Sequence, residues 1–356
     1  VRILAPGTVT PGPPVAAQSG SPAPSAPPPV PVPYRAAASL WVRPAASLAL
    51  APAGDSLQVG LAGSDRLGRL SWQALAGLGD GAGPRGASLG LSSAAWSWQP
   101  SAALFSVLER PSRQRFAPAA GDRERRGGEL ALAWDDRGPT TCWASPAVAW
   151  EQVRPRDGAA YQRALASLRA GARLLRARGS WGIQLAPTLG IVEGSTSAPG
   201  GGAWHAWRGE VRARLETPVA PVTLLGERGA LGGNPAEAFT LGGVATSLVP
   251  ASLDLGRVEQ PALPARTAAG DRFLRWRGEL GGSFRVYAEG AALWTAGAAR
   301  GPFQRVLGLE AVLAGGTGSD GEAARQRLRV QVGLHRPLDG VMDGRTVATV
   351  SVVVRP

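Results

Sequence analysis

Lysine is absent from this 356-residue chain, so its 38 basic side chains are all arginine, and Asn234 is the only asparagine. The skew reads as the imprint of a GC-rich genome and carries no functional weight. Cys142 is the single cysteine, which excludes an intrachain disulfide and any metal centre built from several thiolates. Histidine occurs only at His205 and His335. A hydrolytic triad or a Cys-His pair needs a histidine placed by the fold, and both of these read as polar surface residues. Carboxylates lie in loops (Asp122, Glu124, Asp135, Asp136, Asp320) or alternate with arginine, so no glycosidase-type pair stands out. No apolar run reaches the ~18 residues of a membrane helix, which leaves membrane strands open.

Two glycine-rich stretches invite a binding reading and do not sustain it. GLGDGAG (77–83) has phosphate-loop spacing but no Lys/Ser follows it, so it reads as a hairpin tip. GGTGSDGEA (315–323) matches one unit of a calcium-binding repeat that works only when stacked, so it reads as a turn. The expectation is no metal, no cofactor and no catalysis. The formal net charge of +12 would suit an anion conduit or a nucleic-acid binder. Arginine is spread along the whole chain with no basic block, which argues against nucleic acid.

What is present divides the chain in two. Residues 1–35 are a Pro/Ala/Gly/Ser tract that cannot bury enough apolar area to offset its ordering entropy, so they read as a disordered linker with something upstream. Residues 36–356 are a uniform series of alternating segments separated by Gly, Pro, Asp and Ser. Arg208, Glu210, Arg212 and Arg214 share one face of a segment against Val211, Ala213 and Leu215. Arg275, Arg277 and Glu279 oppose Leu274, Trp276 and Leu280. Arg327, Arg329 and Gln331 oppose Leu328, Val330 and Val332.

Such alternation fits a half-solvated soluble sheet or a barrel with lipid outside and a polar lumen. Length and connections separate the two. Many segments reach the 9–11 residues of a spanning strand, and 16 can be placed between 39–51 and 343–354. Connections after odd-numbered strands are long (79–85, 111–126, 194–202 and the span after Arg228). Those after even-numbered strands are mostly tight (64–65, 178–179, 217–220, 283). Long loops at one end and short turns at the other are the build of an outer-membrane barrel. Residues 160–177 also have helical composition, but alternation in SLRAGARL favours a strand. Of the 12 tryptophans, Trp134, Trp143, Trp150, Trp181, Trp204, Trp207 and Trp294 fall near strand ends, where indoles prefer the headgroup level.

One motif adds a family. FTLGG, with Phe239, Leu241, Gly242 and Gly243, follows the eleventh strand and resembles the F-x-L/I-G-G signature of the bacterial surface antigen superfamily of protein-assembly and two-partner-secretion barrels. The resemblance implies a 16-stranded barrel in which this motif opens the sixth extracellular loop. In place of that family's Arg-Gly-aromatic tip the chain reads VATSLVPASLDLG. SLWVRP, DSLQVGLAGSDRLGRLSWQA and AWSWQPSAALFS resemble the barrel that follows a Tol-type propeller, which implies an upstream propeller or periplasmic partner.

The reading is an all-β, transmembrane, antiparallel up-and-down barrel of 16 strands, monomeric and in contact with outer-membrane lipid. Its lumen-lining candidates are the ten polar-face residues named above, and its role is anchoring with passage of solute or polypeptide. A loop-end enzyme and a soluble all-β binding module are the alternatives, and an open or plugged lumen is equally compatible.

Overall fold

The computed structural model describes residues 41–50, 56–65, 67–79, 85–109, 122–136, 140–235, 238–241, 248–250, 252–254, 256–260, 263, 268–315, 328–339 and 344–354. The tract 1–35, the repeat-like stretch after 315, Arg327, and the glycines Gly242 and Gly243 lie outside the described residues.

The first five strands are β1 (Trp41–Leu50), β2 (Ser56–Ser64), β3 (Leu70–Gly79), β4 (Arg85–Ser93) and β5 (Trp98–Glu109). Six longer ones follow: β6 (Arg123–Asp135), β7 (Thr140–Pro155), β8 (Tyr161–Arg178), β9 (Trp181–Thr196), β10 (Ala203–Glu216) and β11 (Val222–Gly233). Then come three short strands, β12 (Phe239–Leu241), β13 (Arg257–Val258) and β14 (Ala268–Gly270). The series closes with β15 (Arg272–Gly281), β16 (Phe284–Trp294), β17 (Gln304–Gly315), β18 (Leu328–Pro337) and β19 (Val347–Val354). All except β12, β13 and β14 form one closed antiparallel barrel of 16 strands, each paired with its neighbours in sequence and closed by β1 on β19. The helical alternative for 160–177 is resolved as β8.

Alternation places the apolar residues outside. Leu57, Val59 and Leu61 of β2, Leu130 and Leu132 of β6, Ile183, Leu189 and Ile191 of β9, and Leu307 and Leu309 of β17 are all exposed. Their sequence neighbours point inward, where Gln58, Glu310 and Val192 are buried. A belt of this extent around a soluble protein would drive aggregation, whereas against lipid it is the favourable arrangement.

Several boundaries differ from the sequence expectation: β4, expected over 86–98, ends at Ser93, and β5, expected from 101, starts at Trp98, so the turn is 94–97 and not 99–100. β6 starts at Arg123, so Arg123–Arg126 belong to the barrel wall and not to a loop. β11 runs on to Gly233, because its glycine-rich end is held by pairing with Trp204–Arg208 of β10. Aromatic rings recur opposite glycines: Phe273 faces Gly229, Tyr287 faces Gly308, Trp276 faces Gly290 and Trp204 faces Gly194. A methyl group on Gly229 would strike the Phe273 ring and lie 2.8 Å from the Trp207 carbonyl oxygen.

The connections 179–180, 217–221 and 282–283 are tight and share one end of the barrel, while 110–122, 197–202, 234–271 and 295–303 share the other. Short turns face the periplasm in outer-membrane barrels, which fixes an orientation that can be tested. In a Cys142→Ser background, Asp157→Cys in the 156–160 loop should react with a bulky, impermeant maleimide on intact cells. Val219→Cys, at a turn position that is 95% exposed, should react only after the outer membrane is permeabilised. The reverse labelling pattern would invert the topology.

Candidate functional site

The connection between β11 and β15 turns into the barrel. Its three short strands form a separate sheet in the order β13-β12-β14, with β12 parallel to β13 and antiparallel to β14. The sequence reads this span as structureless, since strands of two or three residues are too short to show a period. Phe239 and Leu241, from the loop-entry motif, are 2% and 0% exposed. They pack with Val258 and Leu263 against Phe273, Ala291, Leu293 and Val347 on the β15–β19 wall, with Phe239 edge-on to Phe273 at 4.9 Å. Further along, Leu248, Val249 and Leu253 pack against Phe105, Val107, Ala149, Leu165, Val192 and Trp204 on the β5–β10 wall. The internal segment therefore crosses the lumen and touches both sides. Burying a side chain such as Phe239 or Leu248 contributes about 1.5–3 kcal/mol of transfer free energy.

Polar tethers join it to two ion-pair ladders. On the first wall, Arg125 is 1% exposed and donates to Glu151 and to Glu109, each at 2.8 Å. Glu151 also accepts from Arg163 at 2.7 Å, and Arg123 donates to Glu109 at 2.6 Å. The main-chain carbonyl of Leu253 receives both Arg125 and Arg163 at 3.1 Å. The Ser252 hydroxyl donates to Glu129. Burial raises the Asp254 carboxyl above its ordinary value, opposed by the charges of Arg257 and Arg125.

The second ladder holds several of the residues singled out from the sequence. Arg208 pairs with Glu227, donates to the Arg257 carbonyl at 2.8 Å and stands over the Phe273 ring at 5.5 Å. Arg275 lies between Glu227 and Glu289, at 3.4 and 3.5 Å. Arg277 reaches Glu279 at 2.6 Å, Glu310 at 3.1 Å and Glu289 at 3.4 Å, and stacks on Tyr287 at 3.7 Å. Arg285 joins Glu310 to Glu279. Arg208, Arg275, Arg277 and Arg285 are thus matched by Glu227, Glu279, Glu289 and Glu310, and charge-assisted bonds of this kind offset the cost of burying them. Gln260, fully buried on the internal segment, donates to the Gln304 carbonyl at 3.0 Å.

The other candidates are placed differently. Arg212 lies 3.3 Å from Glu210, Arg214 2.5 Å from Glu216, and both arginines are about half exposed at the short-turn end. Arg329 hydrogen-bonds to Gln331 at 3.5 Å. On the β1–β5 part of the wall, a cavity of about 450 Å³ is lined by Trp41, Arg43, Ser64, Ser71, Gln73 and Ser92 among others.

Two expectations are corrected. His335 is not a surface residue: it is 1% exposed, bonded to the Tyr287 hydroxyl and, at 2.6 Å, to Thr349. Trp204 is not at the headgroup level but inside, where its indole N–H donates to Thr196 at 3.1 Å. It shares the face of Arg208, so strict alternation turns it inward. Ladder members Glu109, Arg125, Glu151, Arg163, Glu227, Glu289 and Glu310 had drawn no notice in the sequence. Among the described residues no group of three or more His, Cys, Asp or Glu side chains is placed to hold a metal ion.

No protein-family model and no curated protein sequence matches the chain. Solved structures do. BamA from Haemophilus ducreyi lacking POTRA domains 1-3 superposes with a TM-score of 0.58 at 12% identity, over 90% of this chain and 70% of that one. CdiB from Acinetobacter baumannii gives 0.53 at 11% identity, over 89% of this chain and 60% of that one. CdiB from Escherichia coli gives 0.52 at 15%, over 87% and 62%. The chain spans less than two thirds of the length of both CdiB chains. At these identities the likeness is one of fold, and together with the apolar outer belt it is the fold of a bacterial outer-membrane β-barrel.

Proposed function

We propose that the chain is a non-catalytic outer-membrane conduit, closed at rest by its internal segment, that serves as anchor and passage for a domain or partner on the periplasmic side. The observation that carries this reading is the segment bridging both walls of the lumen. It forms its own sheet, separate from the barrel sheet, and its polar tethers end largely on main-chain carbonyls of Leu253 and Arg257. A body held by side chains alone can leave without unzipping the wall. The lumen-lining role assigned to Arg208, Arg275, Arg277 and Glu279 follows: they hold the segment's docking wall, while Arg212 and Arg214 remain toward the short-turn mouth to attract anionic cargo. The histidines support the absence of catalysis. His335 is bonded on both ring nitrogens, and His205 is exposed on the outer face of β10.

Planar-bilayer recording tests this. The intact chain should be mostly silent with brief openings whose reversal potential in a salt gradient favours anions. Ser252→Ala with Gln260→Ala, which removes two tethers, should raise the open fraction several-fold. A silent double variant would sink the conduit reading, and cation preference would sink the assignment of cargo charge.

A further inference from the structure

On the outer face, the long-loop half of β11 and β15–β18 differs from the rest of the belt: Arg228, midway along β11, pairs with the third residue of β15, and Arg272 opens that strand. Arg228 follows inward-facing Glu227 and shares the outward face of Leu224, and Arg272 precedes inward-facing Phe273. Both are exposed. Arg228 pairs with Leu274 and Arg272 with Ala230, so the two arginines are diagonal neighbours across adjacent strands, about 7–8 Å apart and within reach of one ligand. On its other side Arg228 faces Gly209, which leaves its guanidinium uncrowded. Arg272 stands opposite Trp294 on β16, and Arg300 lies over that same ring at 5.6 Å and near Phe303 at 5.7 Å. Exposed Trp207 and Trp276 flank the group.

The acids nearby are already engaged. Asp339 takes two guanidinium hydrogen bonds from Arg305, at 2.7 and 2.9 Å, and a third from its main-chain N–H at 3.1 Å, and the guanidinium bonds foremost hold its carboxyl below the usual range. Asp271 accepts the Ala296 N–H at 2.7 Å. Among the described residues no carboxylate pairs with Arg228, Arg272 or Arg300. On the opposite arc, by contrast, outward Arg126 is paired with outward Glu124. An arginine on the lipid face is costly at mid-membrane and nearly free near the interface, so three unpaired ones belong at the headgroup level, beside anions.

We propose that Arg228, Arg272 and Arg300, framed by Trp207, Trp276 and Trp294, bind the phosphates of an anionic lipid in the outer leaflet. Each guanidinium offers the charge-assisted fork that phosphate oxygens match, and the indoles seat the adjoining glycerol or sugar region. The site is independent of the lumen and of the conduit reading.

The test uses the full chain in phosphatidylcholine nanodiscs, with retention of an added bis-phosphorylated glycolipid read by native mass spectrometry. The triple variant Arg228→Gln, Arg272→Gln, Arg300→Gln should lose about a hundredfold in apparent affinity, since each arginine near an anionic headgroup contributes about a fivefold factor. The corresponding triple lysine variant should keep most of the binding, which separates charge from misfolding. Arg43→Gln, Arg169→Gln, Arg173→Gln, with the same net charge change elsewhere, should bind as the parent does. The dephosphorylated glycolipid should not be retained, and inorganic phosphate at the lipid's own concentration should not displace it. Equal weakening by both glutamine triples, retention of the dephosphorylated lipid, or displacement by free phosphate would each overturn the proposal.

Discussion

Deleting residues 239–270 should convert the barrel into a steadily open, anion-preferring channel, with conductance at least an order of magnitude above that of the intact chain. The deletion is tolerable because the structure already brings its ends together. Phe239 pairs with Gly270, so Ala238 and Asp271 stand at the foot of one small ladder, and Leu231 hydrogen bonds to Asp271 across the mouth of the loop. Asn234–Ala238 would remain as an ordinary hairpin connection between β11 and β15. The barrel sheet loses no hydrogen bond, since β12, β13 and β14 belong to another sheet. The deletion does leave the apolar patches around Phe273 and Phe105 facing water, so the variant should also unfold at lower denaturant concentration. Heat-modifiable gel mobility would establish that it still folds. A folded deletion variant with no more current than the parent would show that something other than this segment closes the lumen.

The second large effect is expected from Arg125→Met. Arg125 is almost wholly buried and joins Glu109, Glu151 and the Leu253 carbonyl, so its loss leaves Glu151 in the interior with Arg163 as its remaining partner. Removing one member of a buried ion cluster typically costs about 3–5 kcal/mol, because the group left behind stays desolvated. Unfolding in detergent should show a loss of this size. Arg176→Gln, at an exposed site near the short-turn end, should change stability by no more than ~0.5 kcal/mol. Adding Glu151→Gln to Arg125→Met should recover part of the loss, since the stranded charge is then gone. Strict additivity of the two single changes would argue that they do not share a network. Because Arg125 also tethers the internal segment, the variant should open more often in bilayers, which a purely structural role in the wall does not require.

The barrel was legible because alternation, spanning length and the asymmetry of connections are properties of the local sequence, and each of the sixteen wall strands overlaps a segment those signals mark, though several ends are displaced by four or five residues. The ladders were less legible for a physical reason. In RERR, Arg123 and Arg125 point into the lumen while Glu124 and Arg126 point out, so a strand end with charge on both faces reads as a loop. Glu227 lay inside an expected strand, yet its importance comes from Arg208 and Arg275 on either side, partners fixed by register and not by spacing. Trp204 could have been placed by counting, since it shares parity with Arg208. The internal sheet was beyond reach, because its strands are ordered by the lumen that surrounds them and have no repeat of their own.

The rings set against glycines have a consequence for how this wall finds its alignment. Sliding one strand past its neighbour by two residues keeps every apolar side chain facing lipid, so the inside–outside pattern cannot distinguish the correct shear from its even-numbered alternatives. Phe273 fits only where Gly229 leaves a gap, and Tyr287 only where Gly308 does. A two-residue slip would set Phe273 against Glu227 or Leu231 and Tyr287 against Val306 or Glu310. The glycines thus act as notches and the rings as keys, and it is their spacing around the sheet that selects a single circumference and tilt for the closed cylinder.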